Sequence, residues 1–281
     1  MEPGKCVAVG CQGWNYEDWV TGPAGIDRVF YPRGTRADEM LTTYARAFET
    51  VEVDSTVYGV PPAQTIEGWF QRTPRDFTFS LKTPREVTHE RALRSAGYRV
   101  FEEFCQRARL LKAKLAVILI QLPPSFEPTA QNRASLREFL VHLPTDLRFS
   151  IEFRHRDWMT IETMDVLRKH SVPLALVEAK WISRDLMVEH ASSAPQEFVY
   201  VRWMGERDLT RFDQVQRAQD ANLSEWREIL ADVCARSPRV FAYFSNFYEG
   251  YAVASANKLK RLLGQPTVDI NDLEQQPSLF G

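Results

Sequence analysis

Charged side chains recur at the ends of short apolar runs in this chain. Glu52 and Asp54 alternate with valines in Val51–Asp54, Lys82 closes the run Phe77–Lys82, and Arg202 alternates with valines in Val199–Arg202. Glu152 and Arg154 alternate with Phe149, Ile151 and Phe153, while Gln121 and Glu178 stand near the ends of two more runs. Side chains on a strand point alternately to opposite faces, so each run has one apolar and one polar face. If helices cover the apolar faces, the polar set shares one interior. Lys82, Arg154 and Arg202 would then form a site for phosphate or carboxylate. Glu152 is the candidate general acid or base, with His155 beside it, and Lys82 is a candidate catalytic lysine if desolvated. The same charges also fit a closed ion-pair lattice that only holds the interior together, with Glu152 orienting Arg154 or Lys82.

The aromatic residues follow the same runs. Trp14, Tyr16 and Trp19 come after the first, Tyr58 after the second, Trp158 after the fifth, and Tyr200 and Trp203 lie in the seventh. Such residues wall a pocket for a sugar or base, although Trp19 and Trp158 would serve equally as lids packed on helix starts. The candidate ligand contacts are Arg154, Arg202, Trp14, Tyr16, Glu52, Asp54, Tyr58, Gln121, Trp158, Tyr200 and Asn246. The five histidines (His89, His142, His155, His170 and His190) show no metal-ligand spacing, and cations beside the acids would compete with a metal. No metal and no cofactor is expected. Among the histidines, His155 is the first titrating candidate and His89 the second.

These residues need a scaffold of strands and helices in alternation. Strands are expected near Val7–Cys11, Val51–Thr56, Phe77–Lys82, Leu115–Leu122, Arg148–Arg154, Pro173–Glu178, Phe198–Trp203 and Arg239–Asn246. Between them apolar residues return at helical spacing, as in Phe101, Phe104 and Ala108, or Leu136, Phe139 and Leu140. The weakest unit is the one between Glu178 and Phe198, with a poor helix near Trp181–His190. Eight strand–helix units without a shift in composition predict an α/β fold, a single (β/α)8 barrel over residues 1–264 with an extended tail over 265–281. The polar faces make the barrel interior unusually charged, and Lys82 and Arg154 close their strands on the face where barrel sites form.

Composition narrows the function classes. The 281 residues carry 35 Lys plus Arg against 37 Asp plus Glu, a net charge of −2, which argues against binding nucleic acid mainly through charge. Met1–Gly10 lacks the basic and apolar regions of a secretory leader, and the longest strongly apolar run, Leu115–Ile120, is far short of the ~20 residues that span a bilayer. The four cysteines form no CxxC pair. A cytoplasmic protein with free thiols and no membrane partner is expected.

Seven segments carry a resemblance: GCQGWNYEDW (Gly10–Trp19), EVDSTVY (Glu52–Tyr58), KTPREVTH (Lys82–His89), QLPPSF (Gln121–Phe126), EFRHRDW (Glu152–Trp158), YVRWMG (Tyr200–Gly205) and YFSNFYEG (Tyr243–Gly250). In this order they resemble the YecE-like family, domain of unknown function 72, over roughly Val7 to Leu263. The resemblance implies a TIM-like barrel and brings no particular reaction with it. It also implies functional weight for Gly13, Trp14, Tyr16, Glu52, Tyr58, Lys82 and Gln121, and for Glu152, Arg154, His155, Trp158, Tyr200 and Arg202. The sequence departs from the family pattern at Val57 (commonly Phe), Met204 (often His), and Ser245 with Phe247 (commonly Asn and His). The two absent histidines weaken any mechanism in which they would bind metal or move protons.

The expectation is an enzyme, a hydrolase, isomerase or lyase, acting on a small anionic, phosphate-bearing molecule or nucleic-acid fragment at the barrel mouth. The competing reading is a non-catalytic binding module whose charges are structural. The tail residues Gln276, Leu279 and Phe280 resemble the short peptides by which bacterial replication and repair proteins dock on the DNA sliding clamp. A chain end folding back on the barrel is the other reading of the same residues.

Overall fold

The computed structural model describes residues 3–20, 29–191 and 197–273. Its centre is a parallel sheet of eight strands among the described residues: β1 (Val7–Gln12), β2 (Thr50–Val53), β3 (Thr78–Lys82), β4 (Leu115–Gln121), β5 (Phe149–Glu152), β6 (Leu176–Glu178), β7 (Val199–Trp203) and β8 (Val240–Phe244). They pair in the order β5-β4-β3-β2-β1-β8-β7-β6. The remaining seam, between β5 and the residues leading into β6, closes on a parallel bridge from Ile151 to Leu174. Two backbone bonds hold that bridge, from Ile151 N to Pro173 O (3.0 Å) and from Ala175 N to Ile151 O (2.8 Å). The result is a nearly closed α/β barrel of the expected class.

Helices cover the outside because their apolar stripes match its apolar strand faces. In the helix Tyr98–Ala108 the buried residues are Phe101, Phe104, Cys105 and Ala108, three to four residues apart on one face. Thr129 and Thr160 start two further helices by accepting hydrogen bonds from the amides of Asn132 and Thr163, each at 3.2 Å. The unit with the weakest sequence signal still contains a helix, Arg184–Ala191.

Residues 265–273, the described part of the stretch without periodicity, pack on the barrel. Gln265 Nε2 donates to the carbonyls of Gly4 (3.0 Å) and Val7 (2.7 Å) at the base of β1, and Leu273 is buried in a 3-10 turn, Ile270–Leu273. The Gln265 amide, the Leu273 side chain and a bond from Arg46 Nη2 to the Asp272 carbonyl (3.1 Å) hold these residues without a periodic pattern. Gln276, Leu279 and Phe280 lie outside the described residues. Among the described residues, no helix is long and apolar enough to cross a membrane. The four cysteines are buried free thiols.

Candidate functional site

Strand alternation stacks the barrel interior in three layers. The lowest is a hydroxyl network: Tyr243 Oη lies 2.8 Å from Thr50 Oγ1 and 2.9 Å from Ser80 Oγ, and Thr78 Oγ1 donates to Thr50 Oγ1 at 2.9 Å. It satisfies buried polar groups without placing charge there.

The middle layer is ionic and closed. Arg202 on β7 grips Glu52 on β2 with two bonds, Nη2 to Oε1 (2.7 Å) and Nε to Oε2 (2.9 Å), and its Nη1 donates to Glu152 on β5. Tyr200 Oη donates to Glu52 Oε2 at 2.7 Å. All four residues are fully buried. Burial alone would raise the Glu152 carboxyl, but Arg202, Arg154 and Lys82 outweigh it and hold the group down at about 2. Burial and Glu52 together keep the Tyr200 phenol protonated, as its donor role requires.

The upper layer opens to a cavity of about 390 Å3 at the C-terminal mouth, a size suited to a small metabolite. Arg154, two residues beyond Glu152, donates from Nε to Glu152 Oε1 (2.8 Å) and from Nη2 to Gln121 Oε1 (3.0 Å). Its guanidinium carbon sits 4.5 Å from the ring centre of Trp181. Two acceptors and one aromatic face thus fix the group where it lines the cavity. Lys82 Nζ is 3.4 Å from Asp54 Oδ1, and both residues line the same space. Tyr16, Phe212 and Phe247 form an aromatic wall, with Phe212 edge-on to both Tyr16 (6.1 Å) and Phe247 (5.0 Å). Lys180, paired with Glu206 at 2.5 Å, and Arg207 complete the rim. Four cations therefore line the cavity against two acids, Asp54 and Glu206, although the whole chain is slightly acidic.

The loop that supplies Glu206, Arg207 and Phe212 runs from β7 to the helix Asp220–Arg236. It is tied across the mouth by Phe212 N donating to Asp18 Oδ2 (2.9 Å) and Gln216 N donating to Glu249 O (2.7 Å). Gly205 begins it at φ +68°, where a Cβ would lie 2.0 Å from the Phe247 carbonyl oxygen. No other residue fits that approach. Ordered loops of this length without secondary structure are usually functional.

Of the residues singled out by sequence, Tyr16, Asp54, Lys82, Arg154 and Asn246 line the cavity. Glu52, Glu152, Tyr200 and Arg202 lie beneath it, so Arg202 holds the lattice rather than the cavity, and Glu152 takes the orienting role. Gln121 supports Arg154 from behind. Glu178 does not join the interior set: its Oε2 accepts from Trp226 Nε1 at 2.6 Å, on the helix Asp220–Arg236 outside the barrel. The short strand β6 lacks the alternation that fixed the other faces. Trp158 is stacked between Phe126 and Phe153 and donates to the Phe126 carbonyl at 2.6 Å, the lid arrangement. Trp14 packs edge-on to Trp69, and Tyr58 is 82% exposed; neither lines the cavity.

His155 also stands off the cavity, capping the turn Arg156–Trp158 through Nδ1, which accepts from Asp157 N at 3.4 Å. His89 is closer to the cations. Burial, then Arg154, Arg85 and Lys82, lower its pKa and keep it neutral, and its Nδ1 is 2.8 Å from Thr88 Oγ1. Among the described residues, no three His, Cys, Asp or Glu side chains are placed to hold a metal ion. Sequence reasoning missed Gln12, which extending the β1 alternation by one residue would have found. It also missed Trp181, which precedes the helix Arg184–Ala191 instead of opening it, and Arg207 and Phe212, whose loop carries no periodic signal.

Known proteins share this architecture. A solved structure from Thermotoga maritima MSB8, described as a DUF72 family protein, superposes with a TM-score of 0.74 at 24% identity, covering 92% of this chain and 100% of that one. One from Enterococcus faecalis V583 gives 0.73 at 19% identity, covering 94% and 98%. In sequence, the UPF0759 protein YunF of Bacillus subtilis is 24% identical over 277 residues, 92% of this chain and 94% of YunF. The UPF0759 protein YecE of Escherichia coli K12 is 30% identical over 149 residues, 53% of this chain and 48% of YecE. The family model "Protein of unknown function DUF72" matches residues 8–278, and with nearly the whole chain covered, this protein belongs to the DUF72 family.

Proposed function

We propose that the mouth cavity is the binding site of a small anionic, phosphate-bearing ligand, with Arg154 and Lys82 as its principal cations. The observation that carries this reading is the immobilised Arg154: its Nε and Nη2 are engaged by Glu152 and Gln121, one face is covered by Trp181, and it still lines the cavity. A guanidinium pinned in this way is pre-organised for an oxyanion. The excess of cations over acids in the lining supports the same class of ligand.

In an enzyme of this construction, Asp54 and Lys82 would exchange protons with the ligand, since both face the cavity and Glu152 does not. The closed Glu52–Arg202–Glu152 layer supports the structural reading for those three residues alone. The ligand class includes nucleic-acid fragments. The tail peptide Gln275–Gly281 then supplies a tether to the DNA sliding clamp, tested by titrating that peptide against the clamp, with Leu279→Ala and Phe280→Ala as controls.

The test of the cavity is thermal shift and calorimetry with sulfate and inorganic phosphate at matched ionic strength. Both anions should stabilise the wild type, and Arg154→Met and Lys82→Met should abolish the effect. An absence of stabilisation, or one unchanged in both variants, would refute the reading.

A further inference from the structure

The β1–β8 side of the cavity carries two amide donors without an adequate partner. Gln12 ends β1 and Asn246 follows β8 by two residues; these strands pair side by side, with Cys11 opposite Phe244. Both residues line the cavity and are at most 3% exposed. Gln12 Nε2 donates to the thioether sulfur of Met204 at 3.2 Å, a weak acceptor. Asn246 Oδ1 accepts from Ala252 N at 2.9 Å, which fixes the amide with its oxygen toward that backbone donor. Its Nδ2 is buried and has no hydrogen-bond partner. Native proteins rarely leave such a group unpaired without a ligand, water or strain to explain it.

Arg154 follows β5, four strands from β1 in the pairing order and so across the barrel from these amides. The cavity therefore sets Arg154 opposite a pair of neutral amides, and Tyr16 after β1 and Phe247 after β8 flank those amides. We infer that Gln12 and Asn246 form a second subsite that accepts a carbonyl oxygen, so that the ligand is a carbonyl-bearing organic phosphate. This rests on the anion reading above. At Asn246 a carbonyl fits better than a hydroxyl, because the amide oxygen there is already occupied by Ala252 N and only the Nδ2 donor is free.

The experiment is isothermal titration of the intact chain with inorganic phosphate, glycerol 3-phosphate and dihydroxyacetone phosphate, the last two differing only by hydroxyl against carbonyl. The wild type should bind dihydroxyacetone phosphate at least about tenfold more tightly than glycerol 3-phosphate. Gln12→Met and Asn246→Leu should bring the two affinities together. Because Asn246 also caps Ala252, Gln12→Met keeps the test decisive if Asn246→Leu does not fold. Binding of phosphate and both esters without the carbonyl preference overturns the second subsite and leaves the anion site standing. The same preference retained in a folded Gln12→Met overturns it equally. Failure of all three to bind removes the anion site, and this subsite with it.

Discussion

Arg202 and Arg154 are the same residue type, both bonded to Glu152, yet they belong to different kinds of structure. Arg202 lies inside β7, fully buried, with its guanidinium divided between Glu52 and Glu152. Arg154 lies two residues past the end of β5, with a side chain 12% exposed, and its third partner is an aromatic face rather than a carboxylate. Two residues along the strand separate the layer whose charges hold the barrel from a charge that reaches the cavity. In a charged barrel interior, then, depth along the strand decides whether a charge is structural or available to a ligand.

The largest expected effect comes from breaking the buried member. Arg202→Met leaves the buried Glu52 carboxylate without its guanidinium and Glu152 with Arg154 alone, and should cost about 3–5 kcal/mol in urea unfolding. An equal loss in Arg154→Met would erase the contrast between the two arginines. Arg154→Met should instead cost about 1–2 kcal/mol, because Glu152 keeps Arg202. Its main result should be the loss of sulfate and phosphate binding.

Acid sharpens the same comparison. Glu152 is held at about 2 in the folded chain against an ordinary value of 4.5. A lowered carboxyl adds stability that is fully present above the unfolded value and disappears as pH falls through the folded one. Wild-type stability should therefore fall between pH 4.5 and 2 more steeply than that of Glu152→Gln, measured by urea unfolding across that window; parallel curves would remove the ion-paired role. The smallest effect belongs to Trp181→Leu. Losing a cation–π contact of about 0.5–1 kcal/mol should weaken anion binding by about two- to fivefold at an unchanged melting temperature. A melting temperature lowered as far as in Arg202→Met would make Trp181 part of the structural layer.

Much of the fold was legible because its signals are local. Alternation in Phe77–Lys82, Phe149–Arg154 and Val199–Arg202 places Ser80 and Lys82, Ser150 and Glu152, and Tyr200 and Arg202 on the interior face, and helical spacing accounts for the outer layer. The interior charges could be named on that basis before any contact was known. Glu178 shows the limit: three strand residues give no alternation to read, and its partner Trp226 lies 48 positions away.

What the sequence determined by itself was the barrel, its eight strands and, apart from Glu178, the charges inside it, because backbone periodicity ties each side chain to a face. The tertiary structure alone decided which charges pair off, that Trp181 covers Arg154, that the loop bearing Phe212 crosses the mouth, and that Gln12 and Asn246 are left with unused donors. These depend on distances between residues far apart in the chain, and they are set by how the loops close over the barrel, where no repeating pattern of residues constrains the backbone.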